Sequence, residues 1–383
     1  MRGGADAAFV LAACRKKNTR IECRVKPDQV REFMAARIED VAAHSGVSIK
    51  TVSRVINGHP NVREKLRVRV EASIKALHYV PNPSARSLAG NRSHLVGLLY
   101  DNPLAGSSYI MELIVGVLQA CESTSYNPVL HPFDSKDDLI AAIDGFIAQN
   151  RPDALVLVPP HANDAELLRR LDQLDVRYAT ISSKLDETRI DVGFDERRAA
   201  ADIVEHLVAL GHRRIGHIAG IKGHGAHAWR LAGYRDALRG GGIEYDKALV
   251  VGGDFTFVSG IAGGRKLLDL PDPPTAIFAA NDEMACGVIR VAHERKLRVP
   301  RDLSVCGFDG IHASLLVSPE LATVQQPCRE MARSAVELVL RAIREPALRQ
   351  HLRMPYRLHL GESTSQPANA SRSRNVSPSR KKR

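Results

Sequence analysis

A chain of 383 residues is too long for one small core and implies two or three domains. At 44% hydrophobic and 25% charged residues it has an ordinary globular composition. No window approaches the ~18 consecutive apolar residues of a membrane span. The formal charge of +11 points to a polyanionic partner. That excess is localised: residues 37–93 carry ten Lys/Arg against four Asp/Glu, and residues 364–383 carry six basic groups and no acid. Residues 94–363, with thirty basic and thirty-five acidic groups, are slightly acidic. Six dispersed cysteines, Cys14, Cys23, Cys121, Cys286, Cys306 and Cys328, form no C-x-x-C pair or zinc spacing. They read as reduced thiols of a cytoplasmic protein.

Residues 1–35 lack periodicity and are expected to be an unstructured extension. The run "AAFVLAAC" (7–14) is short for a signal-peptide core and is interrupted upstream by Asp6. Met34, just before the first organised helix, is the expected true start, the residues before it belonging to an over-long gene model. From there Ile38, Val41 and Ala42 share one helical face. The turn Ser45-Gly46-Val47 follows, Gly46 being free to take positive φ, and Ser48 is placed to cap a second helix running to about Asn57. Val52, Val55 and Ile56 should face inward, with Ile49, Lys50, Ser53 and Arg54 on the opposite side. Leu66, Val70, Ile74 and Leu77 stripe a third helix. Three short helices with a tight turn between the first two predict a helix-turn-helix over 36–81. A generic three-helix packing unit with a solvated basic face is the plainer alternative.

The string "IEDVAAHSGVSIKTVSRVING" followed by "ALHYVPNPSARSLAG" resembles the DNA-binding segment of the lactose/galactose-repressor family of bacterial transcription regulators. The resemblance covers residues 36–363 and implies a fold: a helix-turn-helix head, then a two-lobed α/β core of doubly wound parallel sheets like periplasmic binding proteins. It also implies an activity, sequence-specific binding of double-stranded DNA by a homodimer at a palindromic operator, as a repressor controlled by a small effector. Residues at the start of a recognition helix reach base edges. Ile49, Lys50 and Arg54 are therefore expected to contact bases, Arg54 by a bidentate pair to guanine worth about 1–3 kcal/mol of discrimination. Ser48, Thr51, Ser53 and Asn57 suit phosphates. Arg63 departs from the family, which often has Ser or Thr there to cap the third helix.

Residues 82–93, "NPSARSLAGNRS", form a linker in which Pro83 suits a first helical turn and Gly90 a helix end. Two turns are marginal alone in water, so a plain linker is the alternative. The resemblance implies a hinge that folds on DNA, with Leu88 wedged into the minor groove and Ala85 and Ala89 allowing close helix contact.

Beyond Ser93, apolar runs alternate with helical stretches. "HLVGLLY", "ALVLVPP", "RYATIS", "RIGHIAG", "TAIFAAN" and "LSVCGFD" read as buried parallel strands, with helices near 108–122, 195–210, 226–239, 283–296 and 328–343. Open α/β sheets bind ligands off the C-terminal ends of their strands. Polar residues there, Asn281, Asp282 and Asp309, are candidates, as are Arg230 at the opening of "WRLAGYRDAL" and Phe255 in "GGDFTFVSG". The resemblance implies that Arg230, Asn281 and Asp309 hydrogen-bond the hydroxyls of a sugar or glycoside while Phe255 packs on its ring. On the first lobe Asp101 and Ser107 are weaker candidates, and Tyr109 stands in for an aromatic pair usual in the family. The apolar helix 109–120 is the expected dimer contact. Residues 364–383, Ser/Arg/Pro-rich, read as a disordered basic tail.

No cofactor or metal is expected: "GIKGHG" has the wrong spacing for G-x-G-x-x-G, and His224 and His227 lack further ligands. G-x-S-x-G is absent, so an enzyme is not expected. The alternatives are a solute receptor for a transporter, or a regulator responding to a nucleoside or purine.

Overall fold

The computed structural model describes residues 36–56, 59–79, 92–101, 108–133, 138–184 and 189–368. Asn57, Ala85, Leu88, Ala89 and Ser107 lie outside them, as do Met34 and the tail beyond 368. The chain divides into two compact units, with the break at Asn91–Arg92.

The small unit holds three helices, α1 (Ile38–Ser45), α2 (Ile49–Ile56) and α3 (Glu64–Ala76). Gly46 takes φ +61° between α1 and α2, a left-handed conformation that disfavours any Cβ. The Arg69 guanidinium donates to its carbonyl at 3.1 Å and ties the turn to α3. Ser48 starts α2 as expected, its Oγ accepting from the Thr51 N–H at 3.2 Å. Arg63 precedes α3 and makes no side-chain cap, as its departure from Ser or Thr implies. The core of this unit is small: Val41, Ala42, Val52, Val55 and Val70, flanked by half-buried Ile38, Ile56, Ile74 and Leu77.

The large unit is α/β. A six-stranded, all-parallel sheet has the order β11-β5-β4-β3-β1-β2. Its strands are β1 (Leu95–Asp101), β2 (Asn127–Phe133), β3 (Ala154–Leu157), β4 (Arg177–Ile181), β5 (Ile190–Gly193) and β11 (Gln350–Arg353). A second parallel sheet, in the order β7-β6-β8-β9, uses β6 (Ile215–Ala219), β7 (Val250–Gly252), β8 (Ala276–Ala279) and β9 (Ser304–Cys306). Isolated bridges join Cys306 to Ala322 and Asp309 to Gln325, and so link β9 to the antiparallel pair β10 (Thr323–Gln325) and β12 (Arg357–His359).

The first sheet carries helices α4 (Ser108–Glu122), α5 (Leu139–Asn150), α6 (Ala165–Gln173) and the late helix α12 (Cys328–Ala342). The second carries α7 (Glu196–Ala209), α8 (Gly225–Gly240), α9 (Phe257–Leu268), α10 (Asp282–Glu294) and the short α11 (His312–Leu316). The chain crosses between lobes after β5, after β10 and after β11, so neither lobe is a continuous segment. One buried cluster, from Val96 on β1 to Phe278 on β8 and Val339 on α12, runs through both lobes.

The strands absent from the sequence reading have local causes. β2 carries Pro128 and Pro132 and is tolerated because it lies at the sheet edge. In β5 the apolar run is broken by Asp191, buried yet satisfied by the Thr180 hydroxyl (2.8 Å), the Ser183 N–H (3.0 Å) and Arg353 (2.7 Å). Glycines set the helix spacing. A Cβ on Gly260 would come within 2.3 Å of the Met284 carbonyl oxygen, and one on Gly287 within 2.5 Å of that of Phe257, so α9 and α10 touch backbone to backbone.

Candidate functional site

Two surfaces carry chemistry. On α2, Val52 and Val55 are buried, which turns Ile49, Lys50 and Arg54 out to solvent, with Ser53 half-buried. Ile49 is 47% exposed, an apolar side chain that the small unit leaves uncovered. The Ser48 and Thr51 hydroxyls bond one another at 2.9 Å at the exposed helix start, where backbone N–H groups and hydroxyls suit phosphate.

The second surface is a cleft of about 170 Å³ in the large unit. Asp101 at the end of β1, Pro159 and Pro160 after β3, Asn281 after β8 and Asp309 after β9 all line it, as strand-end logic requires. Tyr109 of α4 and Phe255 after β7 supply aromatic walls. Arg230 is the centre. It lies in the second turn of α8 rather than at its opening, because the helix begins at Gly225 with His224 as its cap. Only 5% of Arg230 is exposed. Its Nε and Nη2 meet Glu196 Oε2 at 3.0 and 2.9 Å; its Nη1 donates to the Ala280 carbonyl at 2.5 Å and to Asp309 Oδ1 at 3.3 Å. The guanidinium carbon stands 3.8 Å from the centre of the Phe308 ring.

Burial alone would weaken this cation, but Glu196 and Asp309 outweigh it and hold its pKa above the ordinary value. Burial likewise pushes the Asp309 carboxyl up to about 7, with Arg230 and the Gln326 amide (2.5 Å) opposing and Glu196 and Glu283 adding to the rise. Behind it Asp282 is fully buried and raised for the same reason, burial first and the Asp309 charge second. Its carboxylate accepts the Gly310 and Ile311 N–H groups (2.8 and 3.1 Å) and the Thr323 hydroxyl (2.6 Å), which fixes the strained loop where Asp309 sits at φ 126°.

The four effector residues expected from the sequence thus share one cleft, but not one role. Asn281 is already committed: its Oδ1 caps α10 through the Met284 N–H at 3.0 Å and its Nδ2 donates to the Phe255 carbonyl at 2.8 Å. One amide hydrogen remains to it, so it holds the loop of Phe255 before it holds anything else. The Phe255 ring lies on Gly220, where a Cβ would come within 2.0 Å of it. His224 meets that ring edge-on at 5.3 Å, and burial, then Arg230, lowers its pKa to about 4, so it is neutral in the cleft. His227 Nδ1 donates to the Gly220 carbonyl at 2.8 Å. Asp101 faces His161 Nε2 at 3.5 Å.

Glu196 escaped the sequence reading. An acid in the first turn of a helix after the cap Asp195 looks like a dipole partner. Only the fold brings Arg230 onto it. A larger cavity of about 470 Å³ opens at the N-terminal ends of β4 and β5. That is the wrong end of a parallel sheet for a ligand, and two of its three lining arginines are paired with acids, Arg189 with Asp172 and Arg177 with Asp175, while Arg349 donates to the Pro346 and Leu348 carbonyls.

Residues 37–82 match the model of the bacterial regulatory proteins of the lacI family, and residues 204–364 match a periplasmic binding protein-like domain. The catabolite control protein A of Priestia megaterium is 32% identical over 334 residues, spanning 86% of this chain and all of that protein. The chain belongs to the lacI family. The ribose operon repressor of Escherichia coli (strain K12) is also 32% identical, over 82% of this chain and 95% of its own length. Among solved structures, a transcriptional regulator CelR–cellobiose complex superposes with a TM-score of 0.66 at 33% identity, over 86% of this chain and 99% of that one. The Lac repressor dimer bound to operator and an anti-inducer gives 0.73 at 27% identity, over 87% and 100%. This lacI-family protein is a DNA-binding transcriptional regulator with the head and the two-lobed core of its relatives.

Proposed function

We propose that the protein is a homodimeric repressor whose operator affinity is set by a small sugar-like effector in the Arg230 cleft. In this reading residues 36–81 read DNA, 82–93 are the hinge and 94–363 sense the effector and dimerise. The observation that carries it is the pairing of an exposed Ile49–Lys50–Arg54 face with a buried, strand-end cleft in the same chain. Lys50 and Arg54 read bases, while Ser48, Thr51, Ser53 and Asn57 hold phosphates. Phe255 stacks on a ring, and Asp309 and the remaining Arg230 N–H address hydroxyls. The CelR complex with cellobiose and the ribose repressor support a saccharide.

Exposed apolar side chains support dimerisation. Met111 and Leu118 are exposed on α4, Phe257 and Val258 on α9, and Leu315 and Leu316 on α11. The Lac repressor relative is a dimer on its operator. The protein acts as a regulator rather than a catalyst, in the cytoplasm; among the described residues no helix is long and apolar enough to cross a membrane.

Fluorescence anisotropy with a palindromic duplex from the protein's own promoter, with and without mono- and disaccharides, tests the reading. Arg54→Ala is expected to lower specific affinity by about 1–3 kcal/mol and to relax sequence preference, with an unchanged circular dichroism spectrum. Leu88→Ala should weaken specific binding more than nonspecific binding. Indifference to the inverted repeats at modest ionic strength would reject the proposal.

A further inference from the structure

The Arg230 knot carries an imbalance. One guanidinium serves two carboxylates, Glu196 and Asp309, each more than nine-tenths buried. A single Arg–carboxylate pair would be neutral; with both acids ionised this triad holds one negative charge too many in a place where unpaired charge is costly. Among the described residues each acid also has an idle oxygen: Glu196 accepts through Oε2 and Asp309 through Oδ1, and both residues line the cleft. Further round the wall Asp101 and Asp254 add acceptors, whereas His224 is neutral and Lys184, whose charge also reaches His224, is exposed and screened. Arg230 itself is nearly saturated, with a single N–H left for a ligand. The cleft therefore offers a small molecule an excess of carboxylate over cation, its donors being single N–H groups of Arg230, Asn281 and neutral His224 and the Tyr109 hydroxyl.

Resting on the reading of this cleft as the effector site, we propose that the effector is an aminated sugar: a polyhydroxylated ring bearing one protonated amine, its ammonium on the idle oxygen of Glu196. The ammonium supplies the missing positive charge and the hydroxyls meet the remaining acceptors. The small cavity suits a single ring, and Phe255 gives that ring a face. The same charge excess repels sugar acids and sugar phosphates, which would meet Glu196 and Asp309 with no uncommitted cation. The elevated Asp309 carboxyl is a second mark of the imbalance, and a bound ammonium would drive its proton off.

Isothermal titration of the full chain near pH 7 tests this with D-glucosamine, D-galactosamine and D-mannosamine, their parent hexoses, N-acetyl-D-glucosamine, D-glucuronate and D-glucose 6-phosphate. At least one amino sugar should bind about tenfold or more tighter than its parent hexose, with the two anions silent. In buffers of different ionisation heat, that amino sugar should release protons. Glu196→Gln should reduce the preference for the amino sugar over its parent hexose to less than about threefold. Proton release by the unaltered protein is a readout that needs no variant to fold. A parent hexose or an anion binding as well as the amino sugars, or a preference that survives Glu196→Gln, overturns the amine assignment and leaves the effector cleft standing. Silence of every saccharide rejects the effector cleft itself, and the amine assignment with it.

Discussion

The small unit displays its cations, whereas the large unit hides one. Lys50 and Arg54 stand in solvent on a helix held by five buried side chains, while Arg230 is locked into a cluster of acids behind two aromatic rings. Exposed charge acts at long range and is weakened by salt, so the head can find a polyanion and slide along it. Buried charge acts only at contact and is indifferent to salt, so the cleft can discriminate among small molecules. One chain thus separates affinity for a polymer from selectivity for a metabolite.

Unfolding one unit while keeping the other tests this separation most directly. Val52 is fully buried in a core of few side chains, so Val52→Asp places an unpaired carboxylate there at a cost of several kcal/mol. The expected result is complete loss of operator binding, read by anisotropy. The main calorimetric transition of the large unit and its saccharide binding should stay unchanged. A shift of that transition would show that the two units fold as one.

This difference also decides what the sequence reveals. The head is written locally: its turn, cap and two faces fall within about twenty residues, and the structure describes them as read. Six of the twelve described strands of the large unit announce themselves as apolar runs. β2 does not, because prolines at an edge look like a loop, and β5 does not, because Asp191 interrupts it for partners on other strands. The cleft is harder still. Arg230 meets acids 34 residues before it and 79 residues after it, so Glu196 has no local signature of its partner. Asn281 was legible as a strand-end polar residue, but not its commitment to capping α10.

A second perturbation asks how far the acid knot depends on its cation. Arg230→Met keeps most of the side-chain volume but leaves Glu196 and Asp309 buried without their partner. Breaking a buried pair from one side costs about 3–5 kcal/mol. Chemical denaturation of the large unit should show a loss of that size near pH 7 and a smaller one in mild acid, where Asp309, already raised by burial, takes up a proton. Equal losses at both pH values would mean that Arg230 stabilises by packing on Phe308 rather than by charge. Operator binding in the absence of effector should change far less than stability.

The smallest expected effect separates the two units by pH. His217 is buried on β6 between the Tyr234 and Phe278 rings, and its Nε2 has no hydrogen-bond partner. Burial first, with nearby cations adding, lowers its pKa to about 4, while its Nδ1 donates to the Phe278 carbonyl at 2.9 Å. A histidine whose value falls on folding contributes stability that is complete above its unfolded value of ~6.5 and is lost as pH falls towards 4. Asp309, raised to about 7, works the other way: it favours the fold most at low pH and loses that contribution as pH rises through 7. In the small unit His44, His59 and His78 lie at the exposed surface. His217→Phe preserves the stack and removes the titration, so the loss in stability of the large unit between pH 7 and pH 5 should shrink by about 2 kcal/mol. Parallel denaturation series on the two proteins would measure it. An unchanged pH slope would place the acid sensitivity in His206, His212 or His224, which burial also lowers.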